Sequence, residues 1–318
     1  MIGFAFKMLS LIFLCTVASG CVHEFPEFSG PREFSFCITH DAGWDEYDYL
    51  VKGKTRADGD WRSRYLFKVF PSGTDKIPAY EHEYVSDNAD VSDFSIPMQL
   101  PEGDWDVYVW SDKVCDDFKF HNASGFDAIR YTGDYQGAHD MRETFEGMTT
   151  LSIGANGMMK DEVCGITLHR PQAKYVFIAT DLREFTEQTL APDNRSLDDY
   201  TVMGIYPLFM PSVYNMFTKR IIDSARGVSY LSAITPLDED NALLAFDHVF
   251  MNDGENAVQV QIALQTPEGV THSLTSTLTI PLRRGQTTYV RGDFLKLPSG
   301  SGGVKIDITF SGEFNIEI

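Results

Sequence analysis

The chain has 318 residues, with 46 acidic against 26 basic side chains and a net charge of −20 at neutral pH. That balance excludes a nucleic-acid binder, because phosphates are neutralised by Lys and Arg, and it suits a surface held in bulk water. The length exceeds what one small core fills and accommodates two domains of ordinary size.

Residues 1–20 carry one cation, Lys7, then an apolar run from Met8 to Val17 and the small residues Ala18, Ser19 and Gly20. This is the layout of a secretory signal, and the run is shorter than the roughly twenty residues a bilayer span requires. Cys21 directly after "ASG" resembles the lipobox of bacterial lipoproteins, with Ala18 where that motif prefers Leu. Cys15 is a poor rival because the bulky Leu14 precedes it. The resemblance implies a lipoprotein signal peptide over 1–20, a diacylglycerated thiol at Cys21 and an acylated (palmitate-type) amino terminus. Each buried methylene then contributes about 0.8 kcal/mol to holding the protein on a membrane. The plainer alternative is a secreted protein cut near Gly20. Residues 21–33, with His23, Glu24, Pro26 and Pro31, read as a lipidated tether outside any core.

Beyond the tether the dominant signal has period two. "RYLFKVF" (64–70), "DWDVYVW" (104–110), "TTLSI" (149–153), "GITLH" (165–169) and "AKYVFIATD" (173–181) read as strands between Gly, Pro, Asp or Asn clusters. The alternation returns at Val258, Val260, Ile262 and Leu264, again over Leu274, Leu278, Ile280 and Leu282, and at Val304, Ile306, Ile308 and Phe310. After an "SG" turn it resumes with Phe314, Ile316 and Ile318. Strands of this kind bury one face, which predicts antiparallel sheets packed as sandwiches. Two short segments, 181–190 and 213–222, are expected to be helical. The fold class is therefore mostly β with small helical inserts. Pro171 interrupts the strand pattern and a new strand follows, which divides the chain into an N-terminal domain over 34–170 and a C-terminal domain over 171–318.

The lipobox cysteine, two β-rich halves joined at "RPQAK", the segment "IPLRRGQTTYVRGDFL" (280–295) and the ending "GGVKIDITFSGEFNIEI" together resemble the Bacteroidales fimbrillin superfamily, in particular its lipidated anchor-like and minor-subunit-like members. The resemblance covers most of the mature chain through a diffuse pattern. It implies two tandem transthyretin-like β-sandwich domains and a non-enzymatic lipoprotein of the outer membrane, displayed at the cell surface, whose partners are fimbrial subunits. Such partners would engage by β-strand complementation, in which an exposed edge gains main-chain hydrogen bonds. Ile306, Ile308, Phe310, Phe314, Ile316 and Ile318 are the strand-exchange candidates, and an ordinary edge strand closing its own domain is the bland alternative. Cleavage in the loop "KTRADGDWRSR", at Arg56, Arg62 or Arg64, would release the Cys21 anchor, so processing and anchoring compete.

The remaining motifs are weaker. Cys37, Cys115 and Cys164 are an odd set without metal-ligand spacing. One bridge between Cys115 and Cys164, or free thiols, both fit. "EHE" (81–83) puts its carboxylates on one strand face and His82 on the other. "SDNADVSD" (86–93) lacks the Gly and final Glu of an EF-hand, and "RGD" (291–293) reads as a strand-end bend. No nucleophile elbow, H-E-x-x-H or phosphate loop is present. No enzyme, metal or cofactor is expected. An alternative function is a glycan-binding lipoprotein of a polysaccharide-uptake system, for which Trp44, Trp61 and Trp110 are the contact aromatics.

Overall fold

The computed structural model describes residues 32–41, 60–74, 77–87, 91–116, 118–154, 163–296 and, for the backbone alone, 314–317. The first half runs through β1 (Arg32–His40), β2 (Arg62–Pro71), β3 (Tyr80–Ser86), β4 (Asp93–Met98) and the long β5 (Gly103–Cys115). Short strands β6 (Phe118–Lys119), β7 (His121–Asn122) and β8 (Ile129–Tyr131) follow, then β9 (Phe145–Ile153) and β10 (Val163–Leu168). The second half starts with β11 (Gln172–Ala179) and the helical segment α1 (182–193). A long ribbon comes next, β12 (Thr201–Asn215) with β13 (Arg220–Ser232), then β14 (Thr235–Pro236), β15 (Ala242–Phe250) and β16 (Glu255–Gln265). The chain continues through β17 (Thr271–Leu274), β18 (Leu278–Arg283), β19 (Thr287–Gly292) and β20 (Phe314–Glu317). The protein is mostly β, as the period-two pattern predicts. Among the described residues no helix is long and apolar enough to cross a membrane.

In the first half a three-stranded sheet, β10-β1-β4, faces a sheet built on β3-β2-β5-β6 with β9 beside β5. Alternate residues supply the core between them. Phe34, Phe36 and Ile38 of β1 with Phe94, Ile96 and Met98 of β4 pack on Tyr65, Phe67 and Val69 of β2 and on Trp105, Val107 and Val109 of β5. Because β1 lies between β10 and β4, removing it would split its own sheet.

The second half faces the sheet β14-β15-β11-β19-β20 against β17-β16-β12-β8-β7, with β13 beside β12 and β18 beside β16. Tyr175 and Phe177 of β11 meet Val202 and Tyr206 of β12 and Val260 and Ile262 of β16, and Leu182, Phe185 and Leu190 of α1 close the end of this core. β11 and β15 are buried along their whole length, and the other face of their sheet forms a second apolar cluster of Val176, Ile178, Leu243, Phe246 and Tyr289. That two-sided burial accounts for the unbroken apolar stretch 175–179, where the expected period two is lost.

Two expectations change. Residues 213–222 are the end of β12, a turn and the start of β13. Asn215 Oδ1 accepts from the Thr218 amide at 2.9 Å and Lys219 adopts a left-handed φ of 54°, which closes a hairpin where a helix is expected. The alternation over 274–282 is divided between β17 and β18, which pair with different stretches of β16. The expected helix at 181–190 is present within α1. Pro192 has no amide to donate, and the turn before it, Thr186–Leu190, widens to π spacing.

Candidate functional site

The terminal strand β20 occupies one edge of the β11 sheet. It runs parallel to β19, with Phe314 opposite Thr288 and Ile316 opposite Val290. Among the described residues β19 has β11 on one side and β20 on the other. The opposite edge is β14, two residues ending in Pro236, a length and composition that discourage further pairing. The β12–β13 ribbon offers a longer edge carrying exposed Ile222 and Leu231. It is bent where the register jumps at Gly227, whose φ of 63° is left-handed. Phe314 and Ile316 thus lie on an edge strand, while Ile306, Ile308, Phe310 and Ile318 fall outside the described residues. Cys21, Trp44 and Arg56 do too.

The aromatic candidates are mostly structural. Trp110 is fully buried. Asp104, Asp106 and Tyr108 keep this face of β5 partly open, but at Trp110 a third core covers it, in which Leu66 and Trp110 pack with Ala123, Phe126, Ile129, Tyr214, Met216 and Phe250. Trp61 is half-buried and stacks on Phe120 at 5.3 Å, with interplanar angle 5°. As a processing site Arg64 is corrected as well. Its guanidinium grips Asp112 through two bonds of 2.8 and 2.7 Å, and both side chains are buried.

Sequence reasoning misses the polar seam where the two halves meet. The hairpin β7–β8 from the first half pairs with β12 of the second. Just beyond it, Arg142 donates to Asp247 Oδ1 at 2.6 Å and to the Gln136 carbonyl at 2.8 Å. The guanidinium lies between the rings of Tyr131 and Tyr135, 4.6 and 4.2 Å from their centroids. Asp247 Oδ2 accepts from the hydroxyls of Tyr135 at 2.5 Å and Tyr206 at 2.6 Å, and Tyr175 links Tyr206 to Tyr230. Burial opposes the Arg142 charge most strongly, but Asp247, Tyr135 and Tyr131 together outweigh it and raise the pKa. Burial also pushes the hydroxyls of Tyr175, Tyr206 and Tyr230 well up, so they stay protonated donors. A second clasp joins Glu146 of β9 to Tyr214 of β12, at 2.8 Å, and to Arg284. Asp247 and Glu146 are each bound to an arginine, an arrangement that holds these charges in place.

Among the described residues no disulfide joins Cys37, Cys115 and Cys164, each of which is half-buried. Glu81 pairs with Lys68 at 3.2 Å, and among the described residues no group of three His, Cys, Asp or Glu is placed to hold a metal ion. In the "RGD" stretch, Gly292 ends β19 and Asp293 accepts from the Thr180 hydroxyl at 2.9 Å, which is the geometry of a strand-end bend.

A family of unknown function, DUF6562, matches residues 31–318. No curated protein matches the sequence. Among solved structures, the chain is similar to the fimbrial anchor protein Mfa2 from Porphyromonas gingivalis, with 10% identity and a TM-score of 0.41 over 77% of this chain and 82% of that one. It is similar to a fimbrial assembly protein from Parabacteroides distasonis, with 12% identity and a TM-score of 0.39 over 86% and 93% of the two chains. A protein from Bacteroides ovatus, described as a proposed adhesin, has 11% identity and a TM-score of 0.44 over 77% and 76%.

Proposed function

Because the chain belongs to the family of unknown function DUF6562, we propose a role from its own residues: a non-enzymatic lipoprotein of the outer membrane, acting as a fimbrial anchor or minor fimbrial component that pairs β-strands with partner subunits. Cys21 carries the lipid and residues 21–33 the tether, whose last two residues, Arg32 and Glu33, already pair in β1. Residues 34–170 and 171–318 are two tandem transthyretin-like sandwiches held out at the cell surface.

The observation that carries this reading is the position of β20. It is a four-residue strand at a sheet edge, parallel to its one described neighbour. Net stabilisation by a backbone hydrogen bond is about 1 kcal/mol, so so short a strand is held by only a few kcal/mol of main-chain pairing. A longer strand from another subunit could take its place on β19, or β20 could leave to pair elsewhere.

The test separates membranes, fimbriae and medium from cells carrying the native chain or Cys21→Ala. Co-fractionation of the native chain with a fimbrial polymer, and release of both by the variant, supports the reading. Membrane retention without any polymer refutes the fimbrial part, and an unchanged distribution of Cys21→Ala refutes the anchor.

A further inference from the structure

Independently of strand pairing, a half-open cleft of about 340 Å³ lies where β5, β9 and β10 of the first half meet the β12–β13 turn of the second. Tyr108, Glu146, Met148, Thr167, His169 and Lys219 line it. That volume falls in the range of small-molecule sites, about 300–1,000 Å³.

Two glycines shape the cleft. A Cβ at Gly147 would stand 2.6 Å from the Thr167 carbonyl oxygen, so only glycine lets β10 lie this close on β9. A Cβ at Gly165 would meet nothing within 4 Å, which leaves open space above β10. Glu146 is 3% exposed, and its Oε1 is taken by Tyr214 and Arg284. Its Oε2 is buried without a hydrogen-bond partner among the described residues. Proteins rarely leave a buried carboxylate oxygen unsatisfied.

Charge narrows the occupant. Arg284 already neutralises Glu146, and the nearby Lys219 ammonium adds positive potential on the same carboxylate. A cationic ligand would be repelled by both. An anionic one would set its charge against the Glu146 Oε2 that Arg284 leaves unsatisfied. A neutral ligand bearing hydroxyls can donate to Glu146 Oε2 and accept from Lys219 and Thr167. Tyr108, half-buried on β5, supplies an aromatic ring for its C–H face. We propose that this cleft binds a neutral sugar residue of a glycan, with Glu146 as acceptor, Lys219 and Thr167 as donors and Tyr108 as the ring platform.

The experiment uses the mature full-length chain and saturation-transfer NMR with titration. Probes are maltohexaose, cellohexaose, mannohexaose and chitohexaose, with oligogalacturonate and the chitosan hexamer as anionic and cationic counterparts. Two variants accompany it. Gly165→Trp fills the open space from an exposed strand position, and Lys219→Asn removes the ammonium while keeping a residue that tolerates left-handed φ. The expected result is binding of at least one neutral probe, weakened about tenfold or more in Gly165→Trp and several-fold in Lys219→Asn. The proposal is overturned by no binding of any neutral probe, by affinity unchanged in both variants, or by tighter binding of a charged probe. Should Gly165→Trp fail to fold, Lys219→Asn alone decides.

Discussion

Arg142 and Asp247 stand 105 residues apart in sequence and 2.6 Å apart in space, with neither side chain open to solvent. The bond ties the segment after β8 to β15, and so fastens the first half of the chain to the second. Removing one partner of a buried pair leaves an uncompensated charge, at a cost of about 3–5 kcal/mol. Arg142→Met should therefore lose stability of that order in urea denaturation. Adding Asp247→Asn should recover part of it, since a neutral amide oxygen still accepts from Tyr135 and Tyr206. A double variant no more stable than Arg142→Met alone would show that packing, and not charge, dominates the seam.

The ring of Tyr230 is clamped between two glycines from different halves. A Cβ would lie 2.4 Å from the ring at Gly137 and 2.3 Å from it at Gly204. Neither contact leaves room for a methyl group, and overpacking of this kind costs about 1–3 kcal/mol. Gly137→Ala and Gly204→Ala are each expected to lower Tm, whereas Gly165→Ala, which meets only open space, should leave it unchanged or slightly raised. Equal Tm values for all three would contradict the clamp.

Much of the sheet architecture is legible along the chain, because alternation over β5, β16 and β18 reports directly which side chains share a face. What fails is whatever depends on distant partners. Trp110 looks available for contact on its own strand, yet a core assembled from residues as remote as Tyr214 and Phe250 covers it. Spacing at Val213, Met216, Phe217 and Ile221 suits one face of a helix as well as a strand and turn, and the Asn215 side chain decides for the turn. The Glu146 cleft leaves no local signature, since its walls come from β5, β9, β10 and the turn after β12.

Two histidines make the fold sensitive to acid. His121 and His248 are buried, and burial, reinforced by nearby arginine and lysine charges, holds both well below the usual histidine range. As the pH falls through about 6.5 the unfolded chain takes up these protons while the folded chain does not. The unfolded state then binds more protons, so stability is fully present above that pH and declines below it. The slope is about 1.4 kcal/mol per pH unit for each histidine until its folded pKa is reached. His121→Phe keeps an aromatic ring beside Trp110 and Phe250 and removes one titrating group. Urea titrations between about pH 7.5 and 5 should show a shallower decline for this variant. An identical slope would mean that the folded and unfolded chains protonate His121 alike, and that burial does not hold its pKa down.

Strand exchange at β19 makes the last prediction. In a parallel pair the backbone amides of successive residues point to opposite sides of the strand, so only one of Asn315 and Ile316 can donate toward β19. Replacing both with Pro removes that donor whichever it is. The double variant Asn315→Pro/Ile316→Pro should vacate the β19 edge at a cost of only about 1–3 kcal/mol, since few main-chain bonds are lost. A synthetic peptide of residues 303–318 should then bind the variant more tightly than the native chain, where β20 competes for the same edge. The same peptide carrying both prolines should bind neither. Fluorescence anisotropy of labelled peptides measures all three cases. Equal binding to native and variant chains would place the peptide elsewhere, and β20 would then be a closing strand of its own sheet with no part in exchange.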